Sequence, residues 1–140
     1  MSTNETLIQQ LNEDLAAEYG TIIRYSYQSG KAFGLMGNEL RELLAKEIAD
    51  ELGHAAFLND VIVDLGGEPV TAPATFDKPE SLRDMLALDE ELELQDVKNY
   101  VAHAELADKL GHVELKLKLE EMAADEAGHA RELRRILKGM

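Results

Sequence analysis

An internal repeat constrains the fold of this 140-residue chain more than any other feature of its sequence. When the sequence is compared with itself at a shift of 75 positions, a group of acidic residues and histidines falls on a second group of the same residue types. It relates Glu18 to Glu93, Glu51 to Glu126, His54 to His129, Tyr25 to Tyr100, Asp14 to Asp89, Asp50 to Asp125 and Gly53 to Gly128. Two similar helical hairpins packed about a pseudo-twofold axis would bring such groups to a common centre.

Apolar residues recur at steps of three and four along four segments, which is the spacing of one helix face. The first predicted helix covers residues 3–33, and the second follows a turn at GLMGN and ends near Leu65. The third and fourth cover residues 82–110 and 112–138. Residues 66–80 hold all three prolines and two adjacent glycines, so no helix continues through them. The pattern predicts an all-α four-helix bundle, two hairpins joined by one long crossover, in a single domain spanning 1–140.

Composition excludes several classes of partner and site. The chain has 14 basic and 28 acidic side chains, and its net charge of -14 argues against nucleic acid or an anionic membrane as partner. Because it has no cysteine, any metal must be held by carboxylate and imidazole. The N-terminus lacks a signal-peptide pattern, and no apolar run is long enough to span a membrane. A cytoplasmic protein is therefore expected.

Ionisable residues interrupt the apolar stripes at positions that should be buried. Glu18 lies within the stripe of the first helix, and Glu126 and His129 lie within that of the last. Burying unpaired carboxylates costs several kcal/mol each, so something should compensate them. The candidate ligands of a two-metal centre are Glu18, Glu51, His54, Glu93, Glu126 and His129. The alternative is a helical packing module whose buried acids only set the pairing of its helices.

The residue types of this set suit two ions of iron or of manganese. Helices two and four each present Glu-x-x-His, whose spacing puts both side chains on one helix face. Four carboxylates and two neutral imidazoles offset the charge of two divalent ions. Zinc would prefer fewer ligands in a tetrahedral set.

At these residues the chain resembles the ferritin-like superfamily, and bacterioferritin in particular. The matching features are Glu18, which is the single glutamate ligand of the first helix, and the motifs DELGH, DEAGH and ELELQDVKN. The resemblance implies that Glu51 and Glu126 bridge two metals, with Glu18 and His54 completing one position and Glu93 and His129 the other. It also implies that Asp50 and Asp125 orient the histidines and that Tyr25 acts beside the di-iron centre. Tyr25 and Tyr100 could equally be core aromatics whose hydroxyls find partners.

Three departures from bacterioferritin alter what the resemblance implies. Leu52 stands where that family has a haem-binding methionine, so haem is not expected by that route. The chain ends 11 residues after His129, which leaves no fifth helix and favours a homodimer or another homo-oligomer over a 24-subunit shell. Asp96 stands where rubrerythrins carry an extra glutamate ligand, and we expect it to stay off the metal. His103 and His112 lie outside Glu-x-x-His and are expected to be partly solvated.

The function implied is an oxidoreductase that oxidises Fe(II) with O2 or hydrogen peroxide, as in iron handling or detoxification. The alternative within the superfamily is a rubrerythrin-like peroxide reductase with a separate electron donor. Such proteins often carry a cysteine-bound iron, and this chain has no cysteine.

Overall fold

The computed structural model describes residues 3–140, and their secondary structure is entirely helical. The helices are α1 (Asn4–Gly30), α2 (Gly34–Asp64), α3 (Leu82–Lys109) and α4 (Val113–Lys138). Helices α1 and α2 form one hairpin, α3 and α4 form the other, and residues 65–81 connect them. The predicted four-helix bundle with one long crossover is therefore confirmed.

The first interhelical turn differs from the prediction. The connection is residues 31–33 alone, and GLMGN forms the beginning of α2 instead of the turn. Gly34, the first residue of α2, has φ 76°, a conformation that residues other than glycine rarely adopt. Gly37 lies inside α2, where an added Cβ would be 2.7 Å from the carbonyl carbon of Ala32. The second glycine therefore serves close packing of the turn and does not break the helix.

The predicted start of α3 and the predicted break before α4 are both present. The Ser81 hydroxyl accepts a hydrogen bond of 3.0 Å from the backbone N–H of Asp84. Gly111 has φ 85° and separates α3 from α4. These two signals depend on local backbone chemistry, which is why the sequence reveals them.

The crossover runs along α1 from one end of the bundle to the other. Near its start, the Val70 N–H donates to the Asn12 side chain at 2.9 Å. Further on, the Ala74 N–H donates to the carbonyl of Ala16 at 2.9 Å. An added Cβ on Gly20 would lie 2.8 Å from the carbonyl oxygen of Ala74, so α1 and the crossover touch at backbone level.

Two apolar clusters fill the two ends of the bundle and leave a polar layer between them. The smaller one, here called the turn-end cluster, consists of Tyr25, Ala32, Leu40, Leu44, Leu86 and Leu133. The larger one, here called the crossover-end cluster, includes Leu7, Leu11, Leu58, Ile62, Tyr100, Leu119 and Met122. Within residues 3–140, no helix is both long and apolar enough to cross a membrane.

Candidate metal centre

The six residues predicted from the repeat meet in the polar layer between the two clusters. All six are buried, and they fall into two groups of four in which one ligand atom per residue lies within 4.8 Å of the others. One group is Glu18, Glu51, His54 and Glu126, and the other is Glu51, Glu93, Glu126 and His129. Glu51 and Glu126 belong to both groups, which is the arrangement that two neighbouring cations with bridging carboxylates require.

The ligand atoms of the six residues face one another without forming hydrogen bonds. His54 Nδ1 lies 3.5 Å from Glu18 Oε1 and 3.4 Å from Glu126 Oε1. His129 Nδ1 lies 3.3 Å from Glu51 Oε1. These separations exceed those of good charge-assisted hydrogen bonds. The six side chains are thus arranged around two positions, and no hydrogen bond joins their facing ligand atoms.

Unpaired buried atoms provide the test of whether metal ions fit these positions. The ligand-set atoms without a hydrogen-bond partner in the chain are Glu18 Oε2, both oxygens of Glu51 and Glu126, Glu93 Oε2, and Nδ1 of His54 and His129. Buried polar groups are almost always satisfied in native proteins. Since every one of these atoms can donate an electron pair to a metal, the donor set fits two divalent cations.

Each histidine is held by an acid from the opposite hairpin. His54 Nε2 lies 2.9 Å from Asp125 Oδ2, and His129 Nε2 lies 3.0 Å from Asp50 Oδ2. A neutral imidazole that donates from Nε2 leaves Nδ1 free as a ligand. The expected role of the two aspartates in orienting the histidines is therefore supported, and the contacts also tie α2 to α4.

Two tyrosines contact the ligand set in the same way. Tyr25 donates its hydroxyl hydrogen to Glu93 Oε1, and Tyr100 donates to Glu18 Oε1. Burial and the neighbouring carboxylates raise the pKa of both phenols well above 10, so they remain hydrogen-bond donors. The 75-residue shift relates these two contacts, and both hydroxyls find partners.

The metal-free centre retains protons. Burial, followed by repulsion from other carboxylates of the set, raises the pKa of Glu51 and Glu126 well above the usual range. Burial opposes ionisation of Glu93 too, but contacts with His129 and Glu126 outweigh it and lower the pKa of Glu93. Burial lowers the pKa of His129, yet Glu51 and Glu93 more than offset this and raise it. Cations entering the centre would displace such protons.

The prediction for His103 was wrong. His103 is buried, and its Nδ1 lies 2.6 Å from Asp14 Oδ2 between α1 and α3. Tyr100 one turn earlier indicates that this face of α3 points inward, so the signal was available in the sequence. His112 is only partly buried, with Nε2 2.8 Å from Asn4 Oδ1, as expected.

Buried polar residues one turn before the ligands were not singled out as functional by sequence reasoning. Asp89 is fully buried and accepts a hydrogen bond of 2.8 Å from Arg24 Nε. Glu47 is also buried, with neither carboxylate oxygen paired in the chain. Both lie four residues before a predicted ligand, so helix spacing places them on the same inward face. Asp96 is half-buried and belongs to neither ligand group.

A surface groove of about 300 Å³ lies between α2 and α4 beside the centre. Its lining includes Asp50, His54, Glu121, Met122 and Asp125. The side chains of Asp50 and Asp125 are 53% and 47% exposed, so each of these acids contacts both the solvent and a buried histidine. Three acids against the single Lys118 in its lining make the groove an acidic approach to the centre.

Solved structures with high similarity share this fold. A ferritin-like, diiron-carboxylate protein from Bacillus anthracis str. Ames is 40% identical, covers 98% of this chain and 99% of its own, and gives a TM-score of 0.94. Mycobacterium tuberculosis bacterioferritin, BfrA, is 23% identical over 100% of this chain and 89% of its own, with a TM-score of 0.86. Desulfovibrio desulfuricans bacterioferritin is 21% identical over 96% and 80%, with a TM-score of 0.89.

The family comparison agrees with the structural one. A search of curated proteins gave no match. The family model described as a ferritin-like domain, however, matches residues 8–140, which is nearly the whole chain. The predicted resemblance to the ferritin-like superfamily is thereby confirmed, and the chain belongs to the family of ferritin-like domains.

Proposed function

We propose that the protein binds two Fe(II) ions as substrates and oxidises them with O2 or hydrogen peroxide. The observation that carries this proposal is the pair of four-residue ligand groups sharing Glu51 and Glu126. The name of the Bacillus anthracis relative, a diiron-carboxylate protein, supports iron as the metal. Manganese has the same ligand preferences and is the alternative metal.

In this proposal each histidine and its terminal carboxylate select one ion, while the shared glutamates hold the pair together. Glu18 with His54 takes one Fe(II), and Glu93 with His129 takes the other. Asp125 and Asp50 keep the imidazoles oriented so that Nδ1 faces the ions. Because four carboxylates offset the charge of two divalent ions, both can enter a buried site.

The reaction balances when two ions react together. Each Fe(II) loses one electron to become Fe(III), and O2 accepts both electrons and two protons to become hydrogen peroxide. With hydrogen peroxide as the oxidant, two electrons from the two Fe(II) ions and two protons cleave the O–O bond and give two water molecules. Pairing the ions allows a two-electron step, so no one-electron oxygen radical need be released.

Tyr25 is the residue proposed to act beside the centre. Its hydroxyl donates to Glu93, and the Arg24 guanidinium lies 5.1 Å from its ring centroid. A phenol held in this way, with a cation beside its ring, is well placed to fix the orientation of Glu93. Its counterpart Tyr100 has His54 at the edge of its ring instead of an arginine.

The test replaces a shared glutamate. Glu51→Ala should abolish rapid Fe(II) oxidation, because it removes a carboxylate common to both ligand groups. Stopped-flow absorbance after mixing Fe(II)-loaded protein with O2 measures the rate. The control is Glu42→Ala, an exposed position on the same helix, which should keep the native rate. A native rate in Glu51→Ala would refute the proposal, and reoxidation by peroxide far faster than by O2 would instead favour a peroxide reductase.

A further inference from the structure

A second buried polar layer lies between the candidate metal centre and the turn-end cluster. Glu47 follows Leu44 of that cluster by three residues and precedes Glu51 by four. On α3, Asp89 follows Leu86 of the same cluster by three residues and precedes Glu93 by four. Gln28 follows Tyr25 by one turn of α1. Since Tyr25 bonds to Glu93, which belongs to the His129 group, this layer adjoins the His129 half of the centre.

The hydrogen bonds of this layer leave several oxygens unused. Arg24 Nε and Gln28 Nε2 both donate to Asp89 Oδ1, at 2.8 and 2.9 Å, and the Tyr25 hydroxyl donates to Glu93. The oxygens that remain without a donor are Glu47 Oε1, Glu47 Oε2, Asp89 Oδ2 and Gln28 Oε1. Glu47, Asp89 and Gln28 are 2%, 0% and 2% exposed, so bulk solvent does not satisfy them. Four acceptors without a donor in one buried layer leave room for a shared partner, either a cation or a hydrogen-bond donor.

Within residues 3–140, the corresponding positions of the other half do not repeat this layer. A shift of 75 residues takes Glu47 to Met122, an apolar side chain, and Gln28 to His103. His103 contacts Asp14, the counterpart of Asp89, so that carboxylate has a partner of its own. The two hairpins therefore match at the six-residue centre but differ one turn away from it.

The charges of the layer favour a cation. Glu47 and Asp89 are acids, and Arg24 is the buried base that forms an ion pair with Asp89. Burial raises the pKa of Glu47 to about 8, with His129 lowering it and Glu93, Asp89 and Asp50 raising it further. Burial likewise raises the pKa of Asp89 to about 6 despite Arg24. Ionised, the layer carries one negative charge in excess.

We propose that Glu47, Asp89 and Gln28 bind a third divalent cation, coordinated by oxygen atoms alone, beside the His129 half of the centre. Oxygen-only ligands suit hard ions such as Mg²⁺, Ca²⁺, Mn²⁺ and Fe²⁺. The six-residue centre includes two imidazole nitrogens, so the two kinds of site differ in their preferred ions. A third cation here makes the two halves of the centre unequal in electrostatic environment.

Manganese alone is the probe, because it suits both kinds of site and gives an anomalous X-ray signal. The native protein should bind three Mn(II) ions per chain in equilibrium dialysis. Crystals soaked in Mn(II) should show a third anomalous peak between the carboxylates of Glu47 and Asp89. Glu47→Gln should bind two ions and lose only that peak. Glu47→Met, which introduces the residue found in the other half, should do the same, while Glu42→Gln should keep all three.

Two peaks in the native protein, or three in Glu47→Gln, would overturn the proposal and indicate that the layer is satisfied by water. If the Glu47 variants do not fold, the anomalous map of the native protein decides alone. If the six-residue centre did not bind metal, the anomalous peaks beside His54 and His129 would be absent and the third peak would remain. The proposed function and the third cation site can therefore be refuted independently.

Discussion

The contacts of single residues show why the two tyrosines can be compared directly. Tyr25 and Tyr100 are both buried, and each donates to one terminal carboxylate of the centre. They differ in their surroundings, because Tyr25 lies against Arg24 and Tyr100 against His54. A difference between variants at these positions therefore reports a role beyond hydrogen bonding to the ligand.

Tyr25→Phe should lower the rate of Fe(II) oxidation about tenfold, which corresponds to about 1.4 kcal/mol in the activation barrier. The number of irons bound at the six-residue centre should remain two, because the phenol is not a proposed ligand. Stopped-flow kinetics and anaerobic iron titration measure the two quantities. Tyr100→Phe is the matched variant, and equal slowing in both would contradict the specific role assigned to Tyr25.

At the scale of residues, the sequence predicts which side chains meet but not all of their partners. The repeat and the Glu-x-x-His spacing place six side chains at one centre. Which aspartate contacts which histidine depends on how the hairpins dock, since Asp50 reaches His129 and Asp125 reaches His54. Glu47 escapes notice because the neighbouring Ile48 also fits the apolar stripe of α2.

The helices and their connections show where glycine is required and where it is not. An added Cβ at Gly20 would lie 2.8 Å from the backbone oxygen of Ala74, whereas one at Gly53 would have no atom within 4 Å beyond the adjacent backbone of its own helix. Both glycines lie inside helices, where alanine is favoured by about 1 kcal/mol. Only the contact between α1 and the crossover distinguishes them.

Gly20→Ala should therefore lower the free energy of unfolding by about 1–3 kcal/mol, as overpacking does in a close contact. Gly53→Ala should raise it by up to about 1 kcal/mol through helix propensity. Thermal unfolding of the two metal-free variants, followed by circular dichroism, gives the comparison. If the two changes had the same sign, the close approach of the crossover to α1 would be refuted.

The ends of the elements follow local rules that are legible in the sequence, and the course of the crossover does not. Ser81 and Gly111 mark boundaries through capping and a positive φ. The bonds from Ala74 and Val70 to α1 join residues far apart in the chain. No periodicity encodes them, because they depend on the packing of the complete bundle.

For the whole molecule, the buried acids make metal-free stability depend on pH. Burial raises the pKa of Glu47 from 4.5 to about 8. The folded state therefore binds more protons than the unfolded state between these values, and stability must fall as pH rises through this window. Burial and neighbouring carboxylates raise the pKa of Glu51 and Glu126 in the same direction.

The melting temperature of the metal-free protein should accordingly fall between pH 5 and pH 8. Glu47→Gln should reduce this fall, because the amide carries no titrating proton. Fe(II) or Mn(II) should raise the melting temperature most at the higher pH, since ligands that bind only the folded state stabilise it. Scanning calorimetry, with chelator for the metal-free protein and with added metal for the loaded protein, measures both effects. A metal-free melting temperature that rises with pH would contradict the first prediction.

The architecture of the whole bundle was accessible from sequence because the repeat and the single long linker leave few alternatives. Assembly is different, because it depends on surfaces and not on periodicity. The expected homo-oligomer stays a prediction, as does the absence of haem at Leu52, whose side chain is 54% exposed.

The central claim is that the chain binds and oxidises iron in pairs. Its most direct test is an anaerobic titration of metal-free protein with Fe(II), followed by O2, counting the irons oxidised in the fast phase. The account predicts a break at about two per chain that is lost in Glu126→Ala, because both ligand groups share this glutamate. No break, or an unchanged break in Glu126→Ala, would mean that the six buried residues do not form a centre for iron oxidation.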